Sequence, residues 1–165
     1  MPVTAAEFAY FLFNSFLQLI IGAAMRHYNA GLAIPTFPLA FGKIIPPLPS
    51  FPVAINFAHR VGAVVVALGA LHLFVMTVVR VNAVRGLVAP AALIVFLVVV
   101  QIGLGAEIIL RARPPIQTTL HVANGALILA TAIAMATRAS LLRRLVRTEG
   151  IGNKVCENAS AEVPA

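Results

Sequence analysis

The chain has 165 residues, of which 61% are hydrophobic and only 10% are charged, and it contains no tryptophan. Soluble domains are roughly 45–50% apolar, so this composition excludes a soluble enzyme and indicates an integral membrane protein. The formal net charge of +7 does not indicate nucleic-acid binding, because the basic residues cluster at the ends of apolar segments and in the C-terminal tail, where they fix topology and contact the lipid bilayer.

Four long apolar segments are predicted to span the membrane, over residues 8–25, 53–79, 87–110 and 117–137. Each is near or above the ~20 residues needed to cross the hydrocarbon core, and lipid permits only helices or closed barrels as spanning structures. Their continuous runs of Ala, Val, Leu and Ile fit helices and lack the alternation of barrel strands. The sequence therefore predicts an all-α, integral membrane four-helix bundle over residues 1–147, without a convincing internal repeat.

Two stretches outside the spans have distinctive compositions. The first external loop, residues 27–52, contains six prolines, which exclude a helix and favour a rigid, extended lid. Residues 148–165 are polar and are predicted to form a disordered tail.

Basic residues also predict the orientation. The second loop and the tail hold seven of them, which favours both termini in the cytoplasm. The opposite side holds five, namely Arg26, Lys43, Arg60, Arg111 and Arg113.

The prediction of haem rests on two histidines. His59 and His121 each lie about one turn inside the second and fourth segments, which start on the same side of the membrane. Imidazole is a common ligand of haem iron, and two imidazoles at one depth can ligate the iron from both faces. The alternative is that each histidine only forms a hydrogen bond between helices. Arginine is a natural partner of carboxylates, so Arg26, Arg60 and Arg111 are predicted to bind the propionates of this haem.

Other polar residues in the spans have two interpretations each. Glu107, the only acid between residues 8 and 148, is either an acid–base group beside the haem or the partner of Arg111 four residues later. Asn56 either orients a ligand or caps its helix. His72 is interpreted as a packing or interfacial residue on the cytoplasmic side. Interhelical hydrogen bonds are predicted for four amides, those of Asn14, Gln18, Gln101 and Asn124.

These residues resemble the haem A synthase family, membrane proteins of cytochrome oxidase assembly. The matching stretches are residues 22–26, 30–39, 59–60, 101–105, 121 and 124–127. The resemblance implies members with eight spans in two pseudo-symmetric halves, each with a histidine pair at its outer side. One half is thought to hold haem b as cofactor, and the other the haem O substrate, whose methyl group is oxidised to a formyl. The chain resembles one half, best the N-terminal one.

Three departures from the family follow from the same comparison. The family commonly has glutamate at the position of Asn56, many members carry a cysteine pair in the first external loop, and a second half is missing here. Complete catalysis by a monomer is therefore not expected, whereas haem binding is. The expected partner is a second copy or another half-length protein, and Glu107 is a candidate replacement for the carboxylate.

The expected function is haem binding in haem A biosynthesis or cytochrome oxidase assembly, in the plasma membrane of a prokaryote. Haem O would be oxidised to haem A by a dimer of halves, with haem b and haem O as the haems considered. Cytochrome oxidase or its assembly proteins are further expected partners. The alternatives are a b-type electron-transfer cytochrome and a non-enzymatic assembly factor.

Overall fold

The computed structural model describes residues 4–80 and 85–161, and helices account for most of them. The four long helices are α1 (Ala5–His27), α2 (Phe51–Arg80), α3 (Val88–Leu110) and α4 (Pro115–Ala161). All four are long and apolar enough to cross a membrane, so the predicted fold class is confirmed and the protein is a multi-pass membrane protein.

Local sequence explains several helix boundaries. The Thr4 hydroxyl accepts from the backbone N–H of Glu7, whose carboxylate accepts from the backbone N–H of Thr4, and this capping box starts α1. Helix α4 begins at Pro115, where a missing backbone N–H costs nothing. Helix α3 ends at Leu110, after which Arg113 adopts a positive φ of 66° and donates its backbone N–H to the carbonyl five residues earlier.

The helices form an up-and-down bundle in which each helix packs against the next and α1 closes the ring against α4. Helices α2 and α4 therefore face each other diagonally across the bundle. Residues 28–50 join α1 to α2, and residues 111–114 join α3 to α4 at the same end. We call this end the loop half and the other end the opposite half.

The apolar core lies in the opposite half. Its members come from the first turns of α1, the first half of α3 and the middle of α2 and α4, and they include Phe11, Leu73, Ile94 and Met135. In the loop half, by contrast, the side chains between the helices are polar and only partly buried. The bundle is thus packed tightly at one end and held by polar contacts at the other.

The first loop folds back onto the start of α2 and is not extended as predicted. It contains a short 3₁₀ turn at Ala30–Leu32 and a tight turn closed by paired hydrogen bonds between Ala40 and Lys43. Ile34 is fully buried in a small apolar cluster with Ala40 and Val53. The prolines exclude a helix in this loop, and burial of these apolar side chains against α2 stabilises the folded loop.

The tail also differs from its prediction. Helix α4 continues to Ala161, whereas residues 148–165 were predicted to be disordered. The helix propagates beyond the apolar span because residues 148–161 contain no proline, although two glycines weaken it. Residues 162–165 lie outside the described part of the chain.

Candidate functional site

Gln18 of α1 reaches across the loop half and contacts His59 of α2. Its side-chain nitrogen donates to the backbone carbonyl of His59 at 2.8 Å and lies 3.2 Å from the ring atom Nδ1. Gly22, one turn after Gln18, lies against the same ring, and a Cβ there would be 3.1 Å from the ring atom Cε1. The glycine thus leaves the space that the imidazole occupies, and the glutamine ties its backbone to α1.

The second pair of helices repeats this arrangement. The side-chain nitrogen of Gln101 in α3 donates to the backbone carbonyl of His121 in α4 at 3.0 Å. Gly105, one turn after Gln101, lies against the His121 ring, with 3.3 Å between a Cβ placed there and Cε1. Asn124 completes the group, because its side-chain nitrogen donates to the Gln101 side-chain oxygen at 2.7 Å.

The structural repeat has a sequence signature that the sequence analysis missed. Residues 18–23 read Gln-Leu-Ile-Ile-Gly-Ala, and residues 101–106 read Gln-Ile-Gly-Leu-Gly-Ala. Each glutamine lies nine residues before the last residue of its helix, His27 or Leu110. The interhelical hydrogen bonds predicted for these glutamines and for Asn124 are confirmed. The shared Gln-x-x-x-Gly-Ala pattern is the signal that would have linked them to the histidines.

The two histidines face each other across the bundle. The ring centroids of His59 and His121 are 6.5 Å apart, and the ring planes are inclined by 57°. His59 lies eight residues after Phe51 and His121 six residues after Pro115, which places them about 12 and 9 Å along their helices. The depths match as predicted, but both are closer to two turns than to one, because each helix begins before its predicted span.

Arg60 faces the first loop. Its Nε donates to the Asn56 side-chain oxygen at 3.0 Å, and its two terminal nitrogens donate to the carbonyls of Thr36 and Ile34 at 2.8 and 2.7 Å. This guanidinium was predicted to bind a haem propionate. In the structure it joins the loop to α2, one residue after His59.

Asn56 takes part in the same arrangement. This residue is buried, and its side-chain nitrogen donates to the carbonyls of Ala30 and Gly31 at 2.9 and 3.2 Å. Its side-chain oxygen accepts from Arg60, so both ends of the amide are occupied. Asn56 therefore connects the loop to α2, rather than capping the helix, and the structure gives it no contact with either histidine.

The remaining predicted site residues lie at the ends of α1 and α3. Arg26 is exposed in the last turn of α1. Arg111 is exposed just after α3 and pairs with Glu107 at 3.3 Å, which is the four-residue pair that the sequence offered as one of two interpretations. Glu107 is two residues after Gly105, and a helix turns by about 200° over two residues, so the carboxylate is directed away from the face that meets His121.

His72 and Asn14 are separate from this site. His72 lies 3.4 Å from the Glu7 carboxylate in the opposite half, with about half of its side chain exposed. This agrees with its interpretation as an interfacial residue. Asn14 donates to the Tyr10 carbonyl of its own helix, so the interhelical bond predicted for Asn14 is wrong. Among the residues that the structure describes, no cluster of three or more His, Cys, Asp or Glu side chains forms a metal site.

Comparison with known proteins places the chain in a family. Residues 5–133 match the family described as cytochrome oxidase assembly protein. The chain belongs to this family. The resemblance noted in the sequence is therefore confirmed, and the match covers all of the first three helices and the histidine-bearing part of the fourth.

Curated relatives of this chain are named Heme A synthase. The relative from Shouchella clausii is 34% identical over 96 residues, which are 58% of this chain and 32% of the relative. The relative from Bradyrhizobium sp. is 30% identical over 140 residues, covering 76% of this chain and 38% of the relative. The matched region thus spans less than two fifths of the length of these relatives. No solved structure matches the chain significantly.

Proposed function

We propose that this protein binds haem between His59 and His121 and acts in haem A biosynthesis and cytochrome oxidase assembly. The observation that carries the proposal is the 6.5 Å separation of the two imidazole rings across the bundle. Family membership supports the choice of haem, since the relatives are named Heme A synthase. We place the protein in the plasma membrane of a prokaryote, with both termini in the cytoplasm, as the basic residues predict.

The residues present fit a haem. A metal–imidazole bond of about 2 Å, followed by about 1 Å to the ring centre, separates two axial imidazoles by about 6 Å, close to the observed distance. Gly22 and Gly105 each leave space beside one ring. His121 Nδ1 is buried without a hydrogen-bond partner in the described part of the chain, so its ring orientation is not committed to a protein contact. The apolar core also stops short of this half of the bundle.

The chemistry divides between the haem and the chain. Bound haem would supply an iron centre able to exchange electrons and to activate oxygen. His59 and His121 would hold the iron, and the two glycines would admit the rings to the bundle centre. Arg26 and Arg111, both exposed at the ends of helices in the loop half, are the proposed propionate partners. Arg60 is better assigned to the loop, because three of its nitrogens already donate there.

Conversion of haem O to haem A is proposed to need a second four-helix unit. The buried Asn56 stands where the resemblance places a carboxylate, and an amide cannot act as a general base. Glu107 is the remaining carboxylate at a comparable depth, but it pairs with Arg111. Because this unit offers no unpaired carboxylate beside the histidines among the described residues, we propose a homodimer or a complex with another protein that carries such a unit. Cytochrome oxidase or its assembly proteins are proposed as further partners.

Spectroscopy of protein purified from its native membrane tests the proposal. We expect a low-spin, bis-histidine haem spectrum that is lost or becomes high-spin in both His59→Ala and His121→Ala. His72→Ala is the matched control, because His72 is on the same helix as His59 but pairs with Glu7. An unchanged spectrum in both ligand variants would contradict haem ligation by this pair.

Haem extraction and chromatography then separate the candidate functions. Haem O or haem A in the extract supports a role in haem A formation. Haem B alone favours the b-type electron-transfer cytochrome. Protein that contains no haem after native purification contradicts both and leaves the non-enzymatic assembly factor. Crosslinking in native membranes should also yield a dimer or larger complex, whereas a strict monomer that converts haem O would contradict the need for a second unit.

A further inference from the structure

Gln18 and Gln101 occupy equivalent positions but form different hydrogen bonds. The Gln101 amide is satisfied at both ends, since its nitrogen donates to the His121 carbonyl and its oxygen accepts from Asn124. The Gln18 nitrogen donates to the His59 carbonyl, but its side-chain oxygen is buried without a hydrogen-bond partner in the described part of the chain. A buried amide oxygen without a hydrogen-bond partner is unfavourable, so this asymmetry needs an explanation.

The difference arises three residues after each histidine. That position is Asn124 in α4, where an amide holds the Gln101 oxygen, and Gly62 in α2, where no side chain is present. A Cβ at Gly62 would collide with the Gln18 oxygen. Gly62 therefore gives the Gln18 amide room on one side, whereas Asn124 locks the amide of Gln101.

The position of the proton on the His59 ring determines which end of the Gln18 amide can bond to Nδ1. The Gln18 nitrogen, a donor, lies 3.2 Å from His59 Nδ1, and it can bond the ring only in the tautomer that carries the ring proton on Nε2. A nitrogen that binds iron carries no proton, so ligation through Nε2 moves the ring proton to Nδ1. Two donors would then face each other, unless the Gln18 amide rotates and presents its oxygen.

Resting on the proposed haem ligation, we propose that Gln18 is the positioning residue of His59. Its amide rotates when His59 binds iron, so that its oxygen turns toward Nδ1 and accepts the ring proton. The His59 carbonyl loses an additional donor in this rotation but keeps the helical one from residue 63. The rotation thus turns the amide nitrogen toward Gly62 and creates the hydrogen bond that ligating histidines characteristically make through their second ring nitrogen.

The two iron ligands are consequently unequal. His59 gains an acceptor for its ring proton, which raises the basicity of the imidazole and favours ferric over ferrous iron. His121 Nδ1 is buried, and the structure gives it no partner among the described residues. Gln101 cannot serve it in the same way, because its oxygen is held by Asn124. His59 is therefore the stronger ligand and His121 the weaker one.

Redox titration of three variants tests the proposal on protein purified with its haem. In Gln18→Leu the acceptor is lost, and we expect about a tenfold decrease in the preference for ferric over ferrous iron, or 59 mV upward for a one-electron couple. Gln18→Glu provides a stronger acceptor and should lower the potential. Gln101→Leu is the matched control, which removes an equivalent interhelical bond but should leave the preference for ferric over ferrous iron unchanged.

The outcomes separate this inference from the haem proposal. A wild-type protein without a bis-histidine spectrum overturns both. Normal haem binding with equal shifts in Gln18→Leu and Gln101→Leu, or with no shift in either, overturns the positioning role alone. If Gln18→Leu does not fold, Gln18→Glu decides: a lowered potential supports the role of Gln18, and an unchanged one contradicts it.

Discussion

Replacing Arg60 with methionine should detach the first loop from α2 while keeping most of the aliphatic stem. Arg60 makes three charge-assisted hydrogen bonds, to Asn56, Ile34 and Thr36, of which the one to Thr36 is exposed. The two partly buried bonds are each worth about 1–1.5 kcal/mol and the exposed one about 0.5. Their loss amounts to about 3 kcal/mol, which raises the population of detached loop on the order of a hundredfold.

Hydrogen exchange in lipid nanodiscs measures whether the loop stays folded after this change. The backbone N–H groups of Ala40, Phe41 and Lys43 donate to groups within the loop, and we expect their protection to fall when the loop loses its support on α2. Arg26→Met is the control, because it removes a positive charge next to the loop without removing one of these bonds. If Arg60 instead bound a propionate, Arg60→Met would alter haem affinity and leave loop protection unchanged, and that result would refute the reasoning.

Three further predictions concern the helices. Gly105→Leu should displace the His121 ring and convert the haem spectrum to high spin. Gly103→Leu should not, because a Cβ at Gly103 meets nothing within 4 Å. Identical haem spectra of the two variants would contradict the packing of Gly105 against His121. Glu107→Gln should lower the free energy of unfolding by less than about 1 kcal/mol and leave the haem potential unchanged, since the carboxylate is part of an exposed pair with Arg111. Loss of haem O conversion with an intact haem spectrum would instead show that Glu107 acts as an acid or base. Thr4→Ala should cost about 1 kcal/mol in thermal unfolding through loss of the α1 cap, and an unchanged midpoint would contradict it.

Much of the fold and part of the site follow from local sequence. Hydropathy and length predicted the four spans, and the observed helices extend them by only a few residues except at the end of α4. The facing of His59 and His121 followed from equal depth on two helices that start at the same side. These features depend on periodicity and on membrane thickness, both of which are properties of short stretches of chain.

The roles of the polar residues did not follow from local sequence, because they depend on which helices are neighbours. Arg60 was assigned to a propionate from its charge and depth, yet the nearest acceptors are carbonyls of a loop about 25 residues earlier in sequence. Gln18 and Gln101 were identified as interhelical contacts without their histidine partners. Only the packing of α1 on α2, and of α3 on α4, brings these groups together.

The division of the bundle into two unlike halves has a physical basis. Lipid is as apolar as the helix surfaces, so helices associate through close packing and interhelical hydrogen bonds rather than through the hydrophobic effect. In the opposite half, close packing around Phe11 and Ile94 holds the helices together. In the loop half, Gln18 and Gln101 hold the helix pairs together through backbone carbonyls, and so leave the facing sides of His59 and His121 free of apolar packing. A bundle held in this way keeps its shape around the space between the two histidines, where we propose that haem binds.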